Sequence, residues 1–507
     1  MTGVMAETAP GRFARNSLAS LLRTLSGAFL AVLLPPLLLR RLGPDAYGVW
    51  AIAVEIATYL SLLDLGALSA IGHFAAKADA TEGTEGHGRV VATMLSLQVG
   101  LALIGGVLLG GLIVAMPTVF SRMPRALVPD GRWTMALVGG SALLGLLATG
   151  ITGYFLSIHR VVVPASITFV SRLVGAAVVA VLAIQGHGIA ALAFAWALST
   201  TLGYLLIGVA YAKLRIPTRP SLVSRELAGQ MVQFAGAYGL WTLASLLILG
   251  LDTTIVARLD FHAVAPYAAA AGMASVVTAV YGSALAPLVP LAARLAAAGE
   301  REELARTFLR LIRLGGLGVV VLSAVGALSA APLFRLWIGG TTAHQGIPLL
   351  QLLIAANGIR LLLQPYPALV FGTGEHRRVR FQPMIEGVVN VTASVALGLW
   401  IGPKGVALGS LIGAFVGVGV HLFVSIPRTA SLGIDGPTVL RDGLRRPLIA
   451  AVPAFAAFGL RSLLPSAAWP PLAAVALVAT VVLAGVGLAP EDRATVGTVM
   501  RRVRRIA

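Results

Sequence analysis

Apolar residues in this chain run for twenty positions or more at a stretch, and short polar turns separate the runs. A bilayer-spanning helix needs about 20 such residues. The pattern predicts an all-α, polytopic membrane protein with spans near 17–39, 46–75, 90–117, 134–157, 161–184, 189–211, 231–256, 263–293, 307–333, 346–372, 379–401, 405–427, 446–464 and 470–489. That is fourteen. Pro35-Pro36, Pro287, Pro290, Pro365 and Pro367 fall inside these runs, where proline kinks or breaks a helix. Broken helices often line sites or hinges in transporters. Gly105-Gly106, Gly110-Gly111 and Gly139-Gly140 are expected to let helices approach closely.

Composition agrees. Of 507 residues, 57% are hydrophobic and 11% charged, against about 25% charged in a soluble domain. The net charge of +18 is then best read as topogenic. With the N-terminus inside, 24 Lys and Arg fall on inner segments, 9 on outer loops and 5 within predicted spans. By the positive-inside rule both termini are cytoplasmic. The polar start "MTGVMAETAPGRFARNS" carries no cleavage signal and is expected to be a retained tail, and the basic end "RRVRRIA" a surface anchor to anionic membrane lipids. No stretch is polar and basic enough to be a nucleic-acid-binding domain. The absence of cysteine excludes disulfides, thiol catalysis and zinc-thiolate sites. No Walker-type motif is present, so an ATPase within the chain is not expected, and the chain is not read as an enzyme. No metal and no organic cofactor are expected.

An internal repeat organises the spans. "RLGPDAYGVW" precedes the second and "RLDFHAVAPY" the eighth, with Leu42 and Leu259 separated by 217 positions. His159-Arg160 and His376-Arg377 share that offset, as do Gly188-Ile189-Ala190 and Gly405-Val406-Ala407. Coincidence at one offset, each time at an equivalent turn, implies two six-helix lobes of like orientation. They are expected at 1–217 and 218–433, packed as a V around a central cavity, followed by a helix pair and basic tail at 434–507.

The stretch from Leu34 to Ala76 carries Leu42-Gly43, then Tyr47-Gly48-Val49-Trp50 and Leu63-Asp64-Leu65-Gly66. It resembles the opening of bacterial polysaccharide flippases of O-antigen type, in the multidrug/oligosaccharidyl-lipid/polysaccharide exporter superfamily. Leu251-Asp252 and "AVAPYAAAAGM" from Ala263 resemble the corresponding part of the second lobe. The resemblance implies twelve plus two helices in the bacterial inner membrane. It also implies movement of an undecaprenyl-pyrophosphate-linked oligosaccharide between leaflets by alternating access, coupled to H+ or Na+. A polysaccharide polymerase and other assembly proteins are the partners it suggests.

The buried charges are the candidate chemistry. Arg172 and Arg360 lie deep in predicted spans, too far from either end to snorkel, whereas Arg23 lies near the start of the first. A guanidinium keeps its charge and matches pyrophosphate oxygens bidentately, so Arg172, Arg360 and Arg23 are candidate substrate contacts. The competing reading is an ion pair between helices, with Asp64 or Glu386 as partner. Glu55 and Asp64 in the second span, Asp252 in the seventh and Glu386 in the eleventh are candidate ion-coupling groups, since burial disfavours a charged carboxylate. Asp252 has a competing role as a helix cap or as the partner of Arg258. Two alternatives stay within the superfamily: a flippase for the peptidoglycan lipid precursor and a cation-coupled multidrug antiporter. A membrane glycosyltransferase or polymerase is disfavoured, because no predicted outer loop exceeds about 16 residues, too short for a catalytic cluster.

Overall fold

The computed structural model describes residues 32–488 and Asp492, apart from the single positions 65, 82, 159, 217, 286 and 462. All regular structure among them is helical. Twelve helices are long and apolar enough to cross a membrane, thirteen when a pair bent by 44°, Arg225–Phe234 with Gly239–Ile248, is counted as one span. Most predicted spans recur with ends moved by a few residues. The expected first span lies outside the described residues up to 31, and 32–42 are helical.

Two units form the chain, 1–272 with 398–406, and 273–397 with 407–507. In the first, α1 (Pro44–Ser61) starts behind Gly43, whose φ of 83° suits glycine alone, and Pro44 opens the helix. It is followed by α2 (Ala67–Thr81), α3 (Gly83–Val119), α4 (Val128–Ser157), α5 (Val162–Ile184), α6 (Ile189–Ala212), α7 (Arg225–Leu249), α8 (Asp252–Leu259) and α9 (Val264–Leu285). Ser224 caps α7 by accepting from the Leu227 amide at 3.2 Å. Leu103, Val107 and Val114 of α3 stand largely exposed. No soluble monomer shows such a stripe; in lipid it is the ordinary outer surface.

The second predicted span, 46–75, is corrected. It ends in a 3-10 turn at Leu62–Asp64, and Gly66, with φ of 86°, turns the chain into a separate helix. The seventh, 231–256, is also divided, at Gly250 and Leu251 between α7 and α8. Both runs stay apolar across the break, and periodicity does not register it. Asp45 and His262 meet at 2.8 Å. They too are 217 positions apart.

The second unit continues through α10 (Leu288–Ala297), α11 (Arg301–Leu328), α12 (Ala330–Trp337), α13 (Gly340–Leu361), α14 (Pro365–Gly372), α15 (Gln382–Ile401), α16 (Pro403–Val420), α17 (Arg445–Leu460) and α18 (Trp469–Val486). Helix breaks occur at Pro287 and before Pro365, as proline dictates. Phe308, Ile312, Tyr366, Leu369, Leu422 and Val439 form its main core. Of the glycine pairs, Gly105 accepts Leu143 and Gly139 accepts Leu109, but Gly110, Gly111 and Gly140 face open space. The close approach that matters more is on α16. Gly409, Gly413 and Gly417 leave room for Ser394, Asn390 and Glu386 of α15, where any Cβ would collide. This four-residue spacing is the small-residue packing of membrane helices, here seating polar side chains.

Candidate substrate cavity

Four helices of the first unit enclose a cavity of about 860 Å³. α1 contributes Trp50, Glu55 and Thr58; α4 Ser141, Thr149 and Thr152; α5 Thr168 and Arg172; α6 Trp196, Thr200 and Tyr204. Thr253 of α8 and Ala268 of α9 complete one side. A space of this size holds a ligand of several hundred daltons.

Arg172 is ten residues into α5, about 15 Å along the helix axis from its start. Its side chain is exposed to the cavity, and it has no hydrogen bond or ion pair with any described residue. It interacts electrostatically with Tyr204. Among the described residues, Glu55 is the one acid in the same wall, and the Tyr59 hydroxyl donates to its carboxylate. Thr253 and the Thr254 backbone also approach it, and Asp252 is close enough to repel it. Around these two charges the lining is hydroxylic and aromatic. Thr58, Thr149, Thr152 and Thr200 donate to the carbonyls of Val54, Gly145, Ala148 and Trp196 at 2.8–3.0 Å. Their protons are spent within the helix, and what they turn to the cavity is acceptor lone pairs. Trp50 and Trp196 meet edge to face at 6.1 Å.

Arg360 is placed differently, in the second unit. Its guanidinium donates to Glu386 at 2.7 Å, to the Ser410 carbonyl at 3.0 Å and to Asn390 at 3.3 Å. Glu386 and Asn390 are buried. Of the two readings of Arg360, the geometry shows the interhelical ion pair, with Glu386 as its partner. Asp64 sits in the turn after α1, where Gln98 of α3 donates to it at 3.2 Å. It is thus at a helix end instead of the middle of a long span. Asp252 begins α8, buried, and accepts from Tyr267 at 3.0 Å. It does not pair with Arg258, which reaches Ser121 at 2.7 Å. Arg23 lies outside the described residues.

Three features were missed by sequence reasoning. Asp492, fully buried, pairs with Arg310 at 3.2 Å and Arg313 at 2.8 Å. No local signal links residues so far apart. Tyr59 follows Glu55 by four positions, a helical spacing that could have found it. The hydroxyl lining follows from which helix faces turn inward, and composition cannot register that.

His376, of the repeated His-Arg pair, lies between spans with its ring stacked on Phe371 at 5.4 Å. Its Nδ1 is buried and has no hydrogen-bond partner among the described residues. Burial, reinforced by Arg377, holds the imidazole below its ordinary value. The unfolded chain therefore binds this proton first, and the resulting loss of stability starts as pH falls below about 6.5. His376→Phe is expected to flatten that part of the acid sensitivity, measured as apparent melting temperature against pH in detergent.

Comparison with known proteins adds a class to this geometry. The fold is that of the transporters of the multidrug/oligosaccharidyl-lipid/polysaccharide superfamily. The chain is similar to the lipid II flippase MurJ in an inward closed conformation, with a TM-score of 0.70 at 13% identity, over 95% of this chain and 100% of that one. It is also similar to an inward-facing multidrug resistance transporter of the MATE family, with a TM-score of 0.59 at 16% identity, over 79% of this chain and 92% of the other. A Vibrio cholerae MATE transporter, VcmN, gives a TM-score of 0.53 at 15% identity, over 81% and 95%. Residues 160–341 match the family model described as a polysaccharide biosynthesis protein. No curated protein matches by sequence. The likeness to the solved structures is one of fold, and the family match covers residues 160–341 alone.

Proposed function

We propose that this protein moves a polyprenyl-pyrophosphate-linked oligosaccharide from the inner to the outer leaflet of the bacterial inner membrane, for assembly of a cell-surface polysaccharide. The observation that carries the proposal is Arg172, exposed and without an acidic partner among the described residues, in a cavity lined by hydroxyls and tryptophans. A guanidinium held so deep in a span is costly unless water or an anion attends it. Pyrophosphate oxygens fit its fork, and the hydroxyl acceptors and the Trp50–Trp196 pair suit a polar sugar with apolar ring faces. The prenyl tail remains in lipid. Glu55 in the same wall, with Asp252 beside it and Asp64 at the helix turn, are the groups proposed to answer a coupling cation, H+ or Na+. Arg360, satisfied by Glu386, is read as a structural pair. The lipid-linked donor implies a polymerase and assembly proteins as partners, with both termini in the cytoplasm.

Glu55 favours one other reading, a cation-coupled drug antiporter, because a carboxylate among aromatics is also a site for an organic cation. The two readings separate on ligand charge. Purified protein in nanodiscs is expected to bind a short-chain polyprenyl-pyrophosphate disaccharide, and to bind the same disaccharide on a neutral prenyl alcohol about a hundredfold more weakly. Preference for a lipophilic cation such as ethidium over both would support the antiporter. Stronger binding of lipid II than of the disaccharide lipid would move the substrate to the peptidoglycan precursor.

A further inference from the structure

We infer that Tyr59 is the positioning residue through which the protonation state of Glu55 reaches the break between α7 and α8. The inference rests on the transporter reading above and on Glu55 as its cation-responsive group. Tyr59 touches both ends of the proposed path. Its hydroxyl donates to the Glu55 carboxylate on the cavity wall, and it lies 3.0 Å from Thr254 Oγ1 in the first turn of α8. Its ring covers Gly250, the residue at which α7 stops. A Cβ there would stand 3.1 Å from Tyr59 Cε1 and 2.9 Å from both the Leu246 side chain and the Leu246 carbonyl oxygen. One phenol thus ties a cavity carboxylate to a helix break that has no spare room.

The chain of donors gives the path two states. With Glu55 ionised, Tyr59 donates to it, so Thr254 must donate to Tyr59, and α8 is held to α1 through a charge-assisted bond. Such bonds are about twice as strong as neutral ones. When Glu55 takes a proton from water it becomes a donor itself. The chain then reverses or parts, every bond in it becomes neutral, and the hold on α8 weakens. Among the described residues, the groups that act on Glu55 are Tyr59 of α1 and Asp252, Thr253 and the Thr254 backbone of α8. Tyr267 of α9 engages Asp252. Asp252 stands beside Glu55 at the same break.

The chain has no cysteine, which makes a direct test simple. Thr200→Cys places one thiol on the cavity wall. Its labelling by a membrane-impermeant maleimide is followed in proteoliposomes across roughly pH 5 to 8, normalised at each pH to the unfolded protein. No substrate is added. Labelling is expected to change by about fivefold across the titration, the ratio set by exchanging a charged for a neutral hydrogen bond. Tyr59→Phe keeps the ring on Gly250 and removes only the hydroxyl, and it should flatten that profile, as should Thr254→Ala. Gly250→Ala should fix labelling at one value at every pH. Were Tyr59 merely a packing residue, Tyr59→Phe would leave the pH profile unchanged, and that result overturns the inference, as does labelling of the Thr200→Cys parent that ignores pH. Loss of glycan-lipid binding to Arg172→Ala is read separately. Its failure sinks the substrate reading even where the pH profile behaves as expected.

Discussion

Arg172→Ala is expected to abolish export of the glycan lipid in cells while the protein still reaches the membrane in normal amount. In vitro, its affinity for the pyrophosphate-linked disaccharide should fall by about a hundredfold or more, the loss of a bidentate charge-assisted contact in a low-dielectric wall. Folding should be spared, because Arg172 has no hydrogen bond or ion pair with a described residue for the substitution to break. Removing a solitary charge from a span can even raise stability. Arg172→Lys should recover only part of the affinity, since an ammonium holds a phosphate as a point charge and not as a fork. The neutral-lipid analogue provides the control. Its weak binding should be the same for all three proteins, and a parallel loss there would place the defect in the fold.

Glu386→Leu is expected to have the opposite character, damaging the fold more than recognition. It would leave the Arg360 guanidinium, only 13% exposed, beside Asn390 with its carboxylate gone. Breaking a buried pair on one side typically costs about 3–5 kcal/mol, enough to lower the apparent melting temperature by several degrees. Replacing both members, Arg360→Met with Glu386→Leu, removes the stranded charge and should recover most of the loss. Scanning calorimetry in detergent checks both values. The folded double variant also tests the assignment of Arg360 as structural. If it binds the pyrophosphate lipid as the parent does, Arg360 has no part in recognition; if binding is lost, the arginine belongs to the substrate path after all.

The membrane class and most span positions were legible in the sequence because they rest on long runs. Apolar runs of twenty or more survive small errors in their ends. The breaks at Gly66 and Gly250 were not legible. Hydropathy is continuous across both, and a single backbone turn decides where one helix ends and the next begins. The same blindness moved Asp64 from the middle of a span to its end. For the arginines, depth in a span does not by itself separate a paired group from one that faces a cavity. Arg172 and Arg360 look alike in sequence. What divides them is that α16 presents glycines at 409, 413 and 417, letting α15 seat Glu386 against Arg360, whereas the helices around Arg172 offer it Tyr204 and a cavity. The four-residue glycine spacing was visible and would have favoured the ion pair. Asp492 was beyond reach, since nothing near it in the chain announces Arg310 and Arg313.

The most direct test of the account is transbilayer movement itself. Purified protein is reconstituted into liposomes loaded with a fluorescent short-chain polyprenyl-pyrophosphate disaccharide, and the fraction reaching the opposite leaflet is read by quenching from outside. The account predicts rapid movement with the parent protein, none above empty liposomes with Arg172→Ala, and none for the neutral prenyl analogue with either. Equal movement of the pyrophosphate lipid by the parent and by Arg172→Ala would contradict it.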